Sequence, residues 1–245
     1  MTETGSRDAA LSDAKGPRAE SREPRLFDAV MLLALASVAS ALVRILAFTP
    51  YELRQGAAQK IYYIHVPAAM SAYLALTIVA VMSIVYLWLH DERADRLAES
   101  AAEVALVFTT VVLTTGPIWA KPIWGTWWSW DMRLNLTLFL WFVTLSYLVL
   151  RGAVDGDAMR ARYSAVLGIL ATLLIPFIHL SVYLFRTLHP MPIVLKPSAP
   201  SLPPEQLITF TVSSLAFFFF CLALIRARYR MVPMIGSSGA EGTHA

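Results

Sequence analysis

The sequence predicts an all-α, polytopic membrane protein with six transmembrane helices, and three observations carry that expectation. Of its 245 residues, 57% are hydrophobic and only 15% charged, too apolar a balance for an ordinary water-soluble domain of this length. Six apolar runs recur along the chain, at 27–48, 67–89, 102–118, 136–150, 165–185 and 207–225. The basic residues behind a pI near 9.1 sit in short segments flanking those runs instead of forming one patch, so they set topology and argue against a nucleic-acid partner.

Each run has its own justification. The first opens with "MLLALASVASA", which looks like a signal-peptide core, but the apolar character continues through Phe48, so it reads as an uncleaved span. The second begins at Pro67, a residue favoured in the first turn of a helix, which puts His65 where a loop enters the span. The third and fourth fall short of the roughly 20 helical residues a bilayer requires, and are expected to gain length from the tryptophan-rich segment 117–135 between them. The fifth and sixth are long enough alone. Residues 1–25 and 231–245 are rich in Gly, Ser, Ala and charge and read as flexible tails around a membrane domain at 26–230. With the N-terminus in the cytoplasm, thirteen Lys and Arg lie inside against six outside, which places both termini in the cytoplasm.

The chemistry then falls to the outside segments. The inner connections "HDERADRLAES" and "RGAVDGDAMRARYS" are charged turns. Cys221 is the single cysteine, so no disulfide or metal–thiolate framework forms within the chain, and neither a Cys-x-x-Cys-His nor a P-loop motif occurs. Five of the seven tryptophans, Trp119, Trp124, Trp127, Trp128 and Trp130, fall within twelve residues of one outside segment that ends in Asp131 and Arg133. On a helix, Trp124, Trp127, Trp128 and Asp131 would share one face. Such a face reads as a platform for a flat apolar ligand; an interfacial aromatic belt or packed cap is the other reading. His65 and His189 flank it at the same membrane level. His179, in the outer half of the fifth run near Pro176, competes as a functional histidine, whereas His90 and His244 lie on the inner side. A broad ring system whose iron takes two axial imidazoles matches this inventory, with Arg54, Lys60, Lys121 and Arg133 as the outside cations available to its carboxylates.

The run "WGTWWSWDMRL" resembles the signature of the tryptophan-rich WWD family of haem-handling membrane proteins. The runs "KIYYIHVPAAMSAY" and "TLHP" resemble the two histidine segments of one branch, the cytochrome c maturation protein C proteins. The resemblance covers roughly residues 26–230. It implies a non-covalent haem b site facing the periplasm from the bacterial inner membrane, with His65 and His189 as axial ligands. The shelf would comprise Trp119, Trp124, Trp127, Trp128, Trp130, Asp131 and Arg133. It also implies partners: the ATP-binding and permease subunits of the maturation ABC complex, a small accessory membrane protein, and a periplasmic haem chaperone. The expected function is haem delivery without bond-making catalysis, ATP hydrolysis being supplied by a partner. A transporter moving a small hydrophobic or anionic substrate is the alternative, and it would need ionisable groups near the midplane. The ionisable candidates inside the apolar runs are few, Arg44, Glu103 and His179, and all lie toward span ends or the outer half.

Overall fold

The computed structural model describes residues 28–194 and 196–232, so the expected tail 1–25 and nearly all of 231–245 lie outside the described residues. Among the described residues, six helical segments long and apolar enough to cross a membrane form the fold. They are built on α1 (Ala29–Val43), which a π-helical turn over Arg44–Phe48 extends to spanning length, α2 (Tyr62–Leu89), α3 (Glu92–Trp124), α4 (Met132–Ala153), α5 (Asp157–Leu184) and α6 (Pro204–Met231). Side-chain caps and backbone geometry mark their ends. Asp28, Asp91 and Asp131 each accept a hydrogen bond from the first turn of α1, α3 and α4, satisfying amides that have no partner within the helix. Gly125, at φ 76°, ends α3 in the left-handed conformation that glycine adopts without steric cost. Arg228 and Arg230 lie in the last turn of α6, where the helix dipole favours cations.

α2 is the central element, packing against α3, α5 and α6, while α4 lies on α5 and α3 and α1 rides on α6. Small side chains make the close approaches: Ala68, Ala72 and Ala75 of α2 share one buried cluster with Ala101, Ala102 and Ala105 of α3. At Gly168 of α5 a Cβ would lie 2.7 Å from Val79 Cγ1, so the α2–α5 contact depends on the absence of a side chain there.

Two expectations are corrected. Pro67 does not start α2: a 3-10 turn over Ala57–Ile61 leads directly into the helix at Tyr62, placing Pro67 inside it. The Tyr63 carbonyl, deprived of its usual amide partner by that proline, instead accepts a hydrogen bond from the Ser213 hydroxyl of α6. The second correction concerns α3 and α4. They do extend into the tryptophan segment, but α3 stops at Trp124, so the aromatic residues from Trp127 onward lie on a non-helical connection instead of one helical face.

Candidate functional site

At the tryptophan end of the bundle α2, α3 and α4 surround a cavity of about 340 Å³, lined by His65, His189, Trp119, Trp124, Trp127, Trp128 and Arg133 among others. A second cavity of about 670 Å³ adjoins it beneath the loop that follows α5, and the two share Trp119, Tyr73, Arg133 and His189. Both volumes fall in the range of small-molecule sites.

His65 stands on the second turn of α2 with its ring against α3. A Cβ at Gly116 would come within 3.2 Å of His65 Cε1, so this glycine gives the imidazole its place. The ring meets Trp119 edge-on at 5.9 Å, and Nδ1 is 2.9 Å from Thr115 Oγ1. His189 lies beyond α5, its amide donating to Thr187 Oγ1 at 3.0 Å and its ring 6.4 Å from Trp124. Its Nδ1 is 3.0 Å from the Pro190 carbonyl oxygen, which can only accept; Nδ1 therefore carries the proton and Nε2 the lone pair. Among the described residues no protein group hydrogen-bonds Nε2 of either histidine. Two imidazole nitrogens thus remain available in one cavity.

Burial first and the Arg133 guanidinium second push the His189 imidazole down to about 4, against the Pro190 carbonyl and Asp131, which act the other way. An unfolded histidine titrates near 6.5. Between those values the unfolded chain holds the extra proton, so the contribution of His189 to stability is present above about pH 6.5 and lost as pH falls toward 4. Thermal unfolding in detergent at pH 7 and pH 5 checks this: the downward shift at pH 5 should be smaller in His189→Gln than in wild type.

The cations separate clearly. Arg133, in the first turn of α4, lines both cavities, and its buried Nη1 has no hydrogen-bond partner among the described residues. Arg54 lines the second cavity. Lys60 and Lys121 line neither, for Lys60 Nζ donates to the Leu46 carbonyl at 2.6 Å and Lys121 Nζ to the Gly125 carbonyl at 3.0 Å. Of the remaining shelf candidates, Trp130 is 80% exposed and outside both linings. Asp131 is occupied as the α4 cap, accepting from Leu134 N at 3.1 Å and Ser129 Oγ at 3.0 Å. His179 lines only the second cavity, and His90 lies at the opposite end of α2, while His244 is outside the described residues.

A profile of the family described as Heme exporter protein C matches residues 13–237, a stretch that contains every residue of both cavity linings. The chain belongs to the heme exporter protein C family. It is 34% identical over 189 residues to a protein of that name from Haemophilus influenzae, covering 76% of each chain. It is 36% identical over 222 residues to one from Bradyrhizobium diazoefficiens, covering 85% of this chain and 81% of that protein. A third, from Paracoccus denitrificans, is 40% identical over 119 residues, 49% of each.

The site also uses residues that the sequence does not single out: Gln55, Tyr73, Thr115, Gly116 and Leu134. Gln55 Oε1 accepts from Trp119 Nε1 at 3.1 Å, fixing the indole beside His65. Thr115, Gly116 and Trp119 fall one and four residues apart on α3, a helical spacing that signals a shared face. Nothing in the sequence says which partner that face meets.

Proposed function

We propose that this multi-pass membrane protein binds haem b non-covalently at the periplasmic face of the bacterial inner membrane and hands it to a periplasmic haem chaperone during cytochrome c maturation. It works within an ABC-type complex whose ATP-binding subunit supplies hydrolysis, alongside a permease and a small accessory membrane protein. Both termini lie in the cytoplasm, and the protein itself makes and breaks no covalent bond. One observation carries this reading: His65 and His189 line a single aromatic cavity with both Nε2 atoms free of protein partners. Among the described residues no cluster of three or more His, Cys, Asp or Glu could hold a bare metal ion, so two imidazoles suit a metal that arrives with its own equatorial ligands. The relatives' name, Heme exporter protein C, supports the same cargo.

Haem is the cargo, and the chain's residues divide its recognition between them. His65 and His189 offer axial nitrogens, the indoles of Trp119, Trp124, Trp127 and Trp128 offer apolar surface, and Arg133 offers a buried cation to a propionate. The transporter alternative has less support: Glu103 is paired with Arg228 near the end of the bundle away from the tryptophans, and neither Glu103 nor Arg44 lines a described cavity. The absorption spectrum of purified protein tests the proposal. A Soret band of six-coordinate low-spin character is expected; protein that neither retains nor takes up haem overturns it.

Trp127 contributes by covering the macrocycle, because an indole offers iron no usable lone pair. It is 57% exposed, so a bound ring would shield it. Trp127→Phe should stay near wild type, whereas Trp127→Ala should weaken haem affinity by about 0.5–1.5 kcal/mol, roughly two- to tenfold. Haem titration measures both, and equal losses would assign Trp127 a structural role.

A further inference from the structure

The Thr115 hydroxyl decides how His65 presents itself. Its Oγ1 lies 2.7 Å from the carbonyl oxygen of Val111, one turn back on α3, and 2.9 Å from His65 Nδ1. A carbonyl only accepts, and a threonine hydroxyl has one proton to give. That proton goes to Val111, so Oγ1 faces His65 as an acceptor. The imidazole must then hold its own proton on Nδ1, leaving the lone pair on Nε2.

Two further features of the same stretch of α3 fix the ring. The backbone at Gly116 leaves room for the Cε1 edge, where a Cβ would come within 3.2 Å, and Trp119 packs edge-on at 5.9 Å. The imidazole is therefore held at Nδ1, along one edge and by an aromatic neighbour, with Nε2 as its unengaged nitrogen in a residue that lines the cavity.

We propose that Thr115 is a positioning residue that sets the tautomer and orientation of His65. Resting on the haem-carrier reading, we further propose that this neutral hydroxyl tunes the strength of the axial bond. Carboxylates in this position raise the basicity of a ligating imidazole and strengthen its hold. Here both imidazoles meet neutral acceptors, a hydroxyl for His65 and a backbone carbonyl for His189. Such a pair holds a metal without the extra donation a carboxylate would confer, which suits a carrier that must release its cargo.

The experiment compares full-length wild type with Thr115→Ser, which keeps the hydroxyl, and Thr115→Val and Thr115→Ala, which remove it. Only variants that purify as monodisperse protein are scored, the two hydroxyl-free forms standing in for each other. In ligand-free protein labelled with nitrogen-15 on the histidine rings, His65 is identified by difference against His65→Gln. Wild type and Thr115→Ser should show a protonated Nδ1 and a bare Nε2, while the hydroxyl-free variants show a mixture of tautomers. Haemin titration should give Thr115→Ser an affinity within about twofold of wild type and the hydroxyl-free variants a loss of about tenfold, the lower end of what outer-shell partners typically contribute. An unchanged tautomer in the hydroxyl-free variants overturns the positioning role, even where haem binds normally. The expected tautomer change combined with unchanged haem affinity overturns the tuning role. Wild type that shows the Nδ1–H tautomer but takes up no haem leaves the positioning role supported and overturns the carrier reading.

Discussion

Replacing His65 with alanine should strip the purified protein of most of its haem, and His189→Ala should do the same. Each substitution removes one of the two unengaged Nε2 atoms in the cavity and leaves the aromatic lining in place, so any haem that remains is expected to be five-coordinate and high-spin. The loss should exceed the 10–100-fold that removal of a mere outer partner costs, because the ligand itself is gone. The two variants should differ in rescue. The space vacated by His65 is bounded by Gly116 and Trp119 of α3, a helix wall that does not depend on the histidine, so added imidazole should restore low-spin character there. His189 is carried on a loop where alanine keeps the amide bond to Thr187 but loses the Nδ1 contact with the Pro190 carbonyl, so its loss also removes a tether and imidazole should restore less. His179→Ala, whose ring lines only the second cavity, should retain haem. Unchanged haem content and spectrum in His65→Ala would exclude it as a ligand, whatever the other variants do.

What the sequence reveals and what it hides follow from the range of the interactions involved. The six spans are legible because bilayer thickness requires long apolar runs, and that requirement is local. Their ends are less so. α3 starts at Glu92, ten residues before its apolar run, because its first turns place Asp95 and Glu99 toward Arg151 of α4, and a hydropathy reading scores those carboxylates as loop. The same limit hides Pro67 inside α2, since the Ser213 hydroxyl that relieves it is supplied from another helix. In the site, the histidines and tryptophans stand out by residue type alone. The shape of the platform does not, because Gly125 ends the helix one residue after Trp124 and breaks the periodicity that would have joined Trp124 to Trp127 and Trp128. Thr115 and Gly116 are ordinary helix residues until α2 brings His65 against them.

The largest effect on folding is expected at the other end of the bundle. Arg151, near the end of α4, is buried and binds Asp95 of α3 through two bonds, Nη1 to Oδ1 at 2.7 Å and Nη2 to Oδ2 at 2.8 Å, while Nη2 also reaches Glu99 at 2.9 Å. Its guanidinium lies 5.8 Å from the centre of the Tyr147 ring on the preceding turn. Arg151→Met leaves Asp95, 3% exposed, and Glu99 one turn apart on the same face with no counter-ion between them. Breaking a buried pair from one side typically costs about 3–5 kcal/mol, because the surviving charge stays buried without compensation. The fraction of protein that remains monodisperse in detergent after heating should therefore fall sharply in Arg151→Met. Asp95→Asn should be milder, since Arg151 keeps Glu99 and the amide oxygen can still accept one of its bonds. The double variant Asp95→Asn/Arg151→Met should recover much of the loss, because only the partly exposed Glu99 then remains charged. Additive losses in that cycle would show that Arg151 acts through packing on Tyr147 instead of through its carboxylates. Haem affinity of the surviving folded protein should be unchanged in all three variants, because neither cavity includes Asp95, Glu99 or Arg151 in its lining.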